Sequence, residues 1–106
     1  MTSAFRRFEI LLPLRFNDQQ PVPGELIADT LLELEVRFGA VSSETDIIEG
    51  QWSHQGKSYR DDLTRIFVDV PDTPESFAYF RDFKETLKAR FRQIDIWIAT
   101  YPIQIV

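Results

Sequence analysis

Between Arg65 and Val70 the chain alternates strictly, with Ile66, Val68 and Val70 on one face and Arg65, Phe67 and Asp69 on the other. That period of two predicts a half-buried strand. Pro71 and Pro74 end it, because proline cannot donate to a ladder. The period then changes. Phe77, Phe80, Phe83, Leu87 and Phe91 recur close to helical spacing and predict a long amphipathic helix. Two caps compete at its start. Asp72 and Glu75 have capping-box spacing, while Thr73 precedes a proline at the first helical position. Lys84, Lys88, Arg90 and Arg92 crowd the C-terminal half, where cations suit the helix dipole.

The same patterns fill the rest of the chain. Phe8, Ile10, Leu12, Leu14 and Phe16 alternate with Arg7, Glu9, Leu11, Pro13 and Arg15, which predicts a first strand with a bulge or an end of pairing at Pro13. Asn17 to Pro23 reads as a turn-rich loop. A helix from about Pro23 to Phe38 follows, with Ile27, Leu31, Leu34 and Phe38 inward, Glu25, Asp29, Glu33 and Glu35 outward, and Gly39 placed to stop it. Val41 to His54 and Lys57 to Val70 read as a hairpin with Gln55-Gly56 at its tip. This register sets Trp52 opposite Tyr59, Asp46 opposite Arg65, Thr45 opposite Ile66 and Val41 opposite Val70. It also opposes Glu49 to Asp62, which calls for a bulge near Gly50 or for further charges beside that pair. Ile94, Ile96 and Ile98 alternate with Asp95, Trp97, Ala99 and Tyr101 in a last strand, which Pro102 interrupts before the apolar tail Ile103 to Val106.

The element order is βαββαβ. Two right-handed crossovers interleave into a four-stranded antiparallel sheet, order 4-1-3-2, with both helices on one face. The prediction is a ferredoxin-like α+β sandwich forming a single domain over residues 1–106. That architecture carries no function by itself.

Composition narrows the field. The 106 residues are 43% hydrophobic, enough for a real core, and nine phenylalanines supply much of it. The absence of cysteine excludes disulfides, thiolate nucleophiles and zinc-thiolate sites, and fits a soluble cytoplasmic protein. Ala4 to Phe8 is too short and too charged for a secretory leader, and no apolar run approaches the roughly 20 residues of a membrane span. A net charge of −5 argues against binding of duplex nucleic acid. Gly24, Gly39, Gly50 and Gly56 are isolated and form no phosphate loop, and the serines lack a nucleophile-elbow context.

Three segments carry a resemblance: Arg7-Phe8-Glu9-Ile10-Leu11-Leu12-Pro13-Leu14, Val68-Asp69-Val70-Pro71-Asp72-Thr73-Pro74-Glu75, and Asp95-Ile96-Trp97. In these the chain resembles a small family of uncharacterised bacterial proteins of about this length. The resemblance implies the ferredoxin-like fold and brings no catalytic residues with it.

The informative surface is the sheet face away from the helices. It is expected to carry Leu11, Ile48, Trp52, Tyr59, Leu63, Arg65, Phe67, Trp97 and Tyr101, with Arg7, Glu9, Asp46, Asp69 and Asp95 interspersed. Leu11, Phe67, Trp97 and Tyr101 would form one apolar patch there, and large exposed patches mark contact surfaces. The first reading is a homodimer packed through this face, its register fixed by Arg65 with Asp69 or Asp95. The second is RNA binding. It lacks the expected Lys/Arg-Gly-aromatic run in strand three, where Thr64 to Asp69 holds no glycine, and is set aside. The third is a small-molecule pocket, with or without cofactor-free acid–base chemistry by His54, Glu49, Asp61 and Asp62, and with Arg60 nearby. His54 is the single histidine and sits beside the hairpin tip, where an exposed, passive side chain is the plainer expectation. One histidine among scattered carboxylates has no zinc spacing; an oxygen site at Glu49, Asp61 and Asp62 is weighed against a solvated acidic bend, and no metal or cofactor is expected.

Overall fold

The computed structural model describes residues 4–44 and 46–106. Its elements are β1 (Phe5–Pro13), α1 (Gly24–Phe38), β2 (Ser42–Ser43), β3 (Ile48–His54), β4 (Lys57–Pro71), α2 (Pro74–Arg90) and β5 (Ile98–Ile103). The sheet runs β2-β4-β1-β5, with β3 paired to the other half of β4. Since β2 and β3 are two pieces of the expected second strand, the order is the predicted 4-1-3-2 with that strand broken. All pairings among the described residues are antiparallel.

The break has a simple geometry. From the hairpin tip to Ile48↔Leu63 the expected register holds, including Trp52↔Tyr59 and Glu49↔Asp62. Beyond it Ser42 faces Phe67 and Ser43 faces Ile66, a shift of two residues. The predicted pairs Asp46↔Arg65 and Val41↔Val70 are therefore corrected, and Thr45 lies outside the described residues. Ser42, Ser43, Glu44 and Asp46 are polar, exposed positions that gain little from a pleated surface, so the ladder yields there. A shift of two preserves the alternation of faces, so the apolar side chains stay together. Of the two outcomes expected at Glu49↔Asp62, the ladder does not bulge, Gly50 faces Asp61, and the carboxylates have Arg60 and Arg15 beside them. The hydrogen of Gly50 makes room for Leu63, whose Cδ1 would sit 2.9 Å from a β-carbon at that position.

Phe8, Ile10, Leu12, Ile66, Val68 and Val70 present the buried sheet face, and Leu34, Phe80, Phe83, Leu87, Phe91 and Ile96 pack on it from the helical layer. Phe8 stacks on Phe80 at 4.0 Å and Phe38 lies parallel to Phe80 at 5.5 Å, which ties β1, α1 and α2 through one ring. Thr73 rather than Asp72 caps α2, accepting from the Ser76 N–H at 3.2 Å with Pro74 following. Asp72 instead pairs with Arg6 at 3.0 Å. Gly39 closes α1 at φ 90°, donating its N–H to the Glu35 carbonyl. The acidic α1 and basic α2 answer each other, since Arg90 reaches Glu33 at 2.8 Å and the hydroxyl of buried Thr30 at 2.9 Å.

Strand β1 ends at Pro13, although the next residue, Leu14, still donates its N–H to the Asp62 carbonyl at 2.8 Å. The last strand is shorter than its alternation implies. Residues 94–97 lie outside the strand, which starts at Ile98; Ile94 is exposed, Ile96 is buried in the core, and the Trp97 carbonyl still accepts the Leu11 N–H. Pro102 is carried inside β5 rather than interrupting it, which an edge strand tolerates. Residues 48–61 contribute nothing to the core, so the β3–β4 hairpin is an arm beyond the helices. Fifteen residues of β4 would span roughly 50 Å, matching the molecule's 49 Å long axis.

At the tip of that arm Gln55 and Gly56 both have positive φ, 50° and 77°. A turn with two left-handed residues favours Asn-Gly, and glutamine gains no local hydrogen bond there. Gln55→Asn is expected to stabilise the hairpin by up to about 1 kcal/mol, read as a higher midpoint in urea. An unchanged or lower midpoint would show that the tip carries no such strain.

Candidate functional site

The helix-free sheet face divides into an ionic half and an apolar half. The ionic half lies where β1, β4 and β5 run side by side. Arg7 forms a bidentate pair with Asp69 at 2.8 and 3.1 Å. Arg65 donates to both Glu9 and Glu44, and the Tyr101 hydroxyl donates to Glu9. Phe67 lies between the two guanidinium groups, at 4.3 Å from Arg7 and 4.9 Å from Arg65. The ring is thus covered from the sides, and the predicted patch of Leu11, Phe67, Trp97 and Tyr101 is interrupted at Phe67. Within the chain Arg65 holds Glu9 and Glu44, and Asp95 pairs with Lys84 at 3.0 Å.

Hydrogen bonds from Arg65 and Tyr101 hold the Glu9 carboxyl below its ordinary range, although burial opposes them. The Glu9 side chain is only 13% exposed, so solvent screens the pair weakly. Glu9→Gln is expected to cost about 1–3 kcal/mol at neutral pH. A depressed carboxyl stabilises the fold above the unfolded value of about 4.3 and loses that contribution as pH falls through the folded value. The gap between wild type and variant should therefore narrow on acidification below about pH 4. Urea titrations at several pH values check this; a gap independent of pH would mean that the charge of Glu9 contributes nothing.

The apolar half lies towards the hairpin arm. There Leu11, Pro13, Gly50, Trp52, Leu63, Ile96 and Trp97 line a cleft of about 290 Å³, with Gln51, Asp61, Gln93 and Asp95 as its polar groups. Trp52 stacks on Tyr59 at 4.4 Å and 16°, which covers one face of the indole. Its Nε1–H donates to Asp61 Oδ2 at 2.6 Å. Trp97 stands on the opposite wall, 52% exposed, and its carbonyl accepts the Leu11 N–H at 3.1 Å. The sequence suggests Asp61 as an acid–base candidate or part of an acidic bend, not as a partner of Trp52. Its place beside Trp52 follows from the pleat, because it is the diagonal neighbour across the Trp52↔Tyr59 pair. Gln93 and Ile96 border the cleft from the segment before β5, which the Leu11 N–H to Trp97 carbonyl bond holds against β1.

Of the acid–base candidates, Glu49, Asp61 and Asp62 border one groove together with Arg60, and His54 stands apart from it. His54 is half-buried on the helix-free face, its ring 6.3 Å from that of Trp52, and lines neither the cleft nor the groove behind it. That groove, about 430 Å³ and open, includes Arg15, Asn17, Gln19, Glu49, Arg60, Asp61 and Asp62. Glu49 bonds Arg60 at 2.8 Å and Asp62 lies 4.0 Å from Arg15, so the like-charged cross-strand pair is relieved by cations on either side. Among the described residues no three histidine, aspartate or glutamate side chains come close enough to hold a metal ion. No helix there is long and apolar enough to cross a membrane.

Two helices on one face of this sheet define a ferredoxin-like α+β protein. Solved structures share that fold. A phage SAM lyase in complex with S-methyl-5'-thioadenosine superposes with a TM-score of 0.68 at 13% identity, covering 99% of this chain and 92% of the other. The divalent cation tolerance protein CutA1 from Thermus thermophilus gives 0.63 at 18% identity, covering 96% and 86%. CutA1 from Oryza sativa gives 0.61 at 14%, covering 99% and 84%. No protein-family model and no curated protein sequence matches the chain.

Proposed function

We propose that the chain acts as one ferredoxin-like domain, a homodimeric binding module whose working surface is the helix-free sheet face. The cleft between Trp52 and Trp97 is its ligand site, and the β5 side, with Trp97 and Tyr101, is its contact with a second copy. The carrying observation is the cleft itself, an indole-walled recess on a face whose other large side chains are tied up by ion pairs. Its volume lies at the small end of ligand pockets, about 300–1,000 Å³, and suits a compact ligand with few polar groups. The phage lyase, whose structure contains S-methyl-5'-thioadenosine, supports this reading in that a protein of the same fold accommodates a small molecule. The lack of cysteine and the resemblance to bacterial proteins support a bacterial, cytoplasmic setting.

Native mass spectrometry of freshly purified protein tests both parts together. The expected spectrum shows a dimer, with or without added mass from retained ligand. A monomer without added mass, together with unaltered tryptophan emission across a small-molecule panel, would overturn the proposal.

A further inference from the structure

Among the described residues every carboxylate on the strands has a cationic partner except one. Glu9 pairs with Arg65, Glu49 with Arg60, Asp62 with Arg15, and Asp69 with Arg7. Asp61, also on β4, has no arginine or lysine within ion-pair distance among the described residues. Its only hydrogen-bonding side chain there is the neutral indole of Trp52. It is partly buried and borders both the cleft, whose lining contains no cation, and the groove behind it, where Arg15 and Arg60 are held by Asp62 and Glu49. Asp95, the other carboxylate on the rim, is already matched by Lys84. A partly buried carboxylate left without a counter-charge is costly, and its cost falls when a ligand supplies that charge. Aromatic walls favour the same kind of ligand, because ring faces attract cations.

We infer, building on the ligand site proposed above, that the cleft takes a small organic cation, an ammonium or guanidinium on an apolar body, with Asp61 as its counter-ion and Trp52 and Trp97 as its walls. In this arrangement the ligand's charged head donates to Asp61 Oδ1, while Oδ2 keeps the Trp52 indole in place. Leu11 and Leu63 contact the body. Gly50 contributes by absence, since the space that a side chain would fill holds Leu63.

The protein offers its own reporter. It contains two tryptophans, and both line this cleft, so intrinsic tryptophan emission reads it directly. The probes are 2-phenylethylammonium, neutral 2-phenylethanol and anionic 3-phenylpropionate, which share a body and differ in the head. The expected result is saturable quenching or shift with the ammonium compound, with affinity about tenfold or more above the other two. Asp61→Asn keeps size and an acceptor for the Trp52 N–H, and should abolish the preference for the cation, so that the ammonium compound binds no more tightly than the alcohol. The Trp52 indole N–H resonance confirms that the variant keeps its local structure. Equal binding of ammonium and alcohol to wild type would overturn the cation inference and leave the ligand cleft standing. Undiminished cation preference in a folded Asp61→Asn variant would also overturn it. Failure of all three probes to alter tryptophan emission would count against the cleft as a ligand site altogether.

Discussion

Phe80→Ala is expected to cost about 3–5 kcal/mol of folding stability, the range for emptying a buried aromatic site. Phe80 is 2% exposed and lies parallel between Phe8 and Phe38, with Tyr79 and Phe83 edge-on to it. Truncation removes the ring that joins β1 to both helices, and neighbouring rings cannot bend into the space as aliphatic chains do. Each aromatic pair adds about 0.5–1.5 kcal/mol beyond area burial, so the upper end of that range is the better expectation. For a domain stable by about 5–15 kcal/mol this is a large fraction. Urea unfolding should show a much lower midpoint with an unchanged slope, and melting should fall by roughly 4–8 °C per kcal/mol. A loss below about 1 kcal/mol would mean that the stack is not the centre of the core.

Phe80 also shows what the sequence makes legible. It stands in a helical repeat whose members are unambiguous, and the opposing strand residues Phe8, Ile10, Ile66 and Val68 are fixed by alternation. Periodicity reports which side of an element meets the core, and both helices, the sheet order and the hairpin register near Gln55-Gly56 follow from it. It does not report where a ladder gives way. The two-residue shift between Ser43 and Ile48 is invisible to alternation because an even shift leaves the faces unchanged. Residues 94–97 alternate like a strand and Ile96 is buried as that pattern asks, but Ile94 is exposed and the strand begins only at Ile98. Thr30 escapes the pattern because a polar residue in a helix is assigned outward. Here its hydroxyl is bonded to the Leu26 carbonyl and receives Arg90, which makes its burial tolerable.

The candidate site is legible as a face and not as a set of partners. Alternation assigns Leu11, Trp52, Leu63 and Trp97 to the helix-free side, and they meet at the cleft. Which arginine takes which carboxylate depends on distances across three strands, which one chain's pattern does not encode. Arg65 lies diagonal to Glu9 and beside Glu44, and those contacts outcompete Asp69, which Arg7 holds directly across the β1–β4 ladder. The result bears on assembly. With Phe67 flanked by guanidinium groups and Tyr101 tied to Glu9, the largest side chain still exposed on the sheet's β5 side is Trp97.

Trp97→Asp is accordingly expected to convert a dimer to a monomer without unfolding the chain. Trp97 is 52% exposed and Tyr101 40%, so neither contributes its full area to the core. Burying a large apolar side chain contributes roughly 1.5–3 kcal/mol. Two-fold symmetry uses each anchor twice, which offsets part of the freedom lost on association. An aspartate at this position would put an unpaired charge where desolvation on association is greatest, and two copies would approach each other across the axis. The core is untouched, because Ile96 rather than Trp97 turns inward. Light scattering at tens of micromolar, an order-of-magnitude choice for a modest interface, should give the dimer mass for wild type and the monomer mass for the variant. Circular dichroism should be the same for both. Wild type that runs as a monomer under these conditions would end the dimer proposal. A folded variant that keeps the wild-type mass would remove Trp97 from the interface and place the contact elsewhere on the chain.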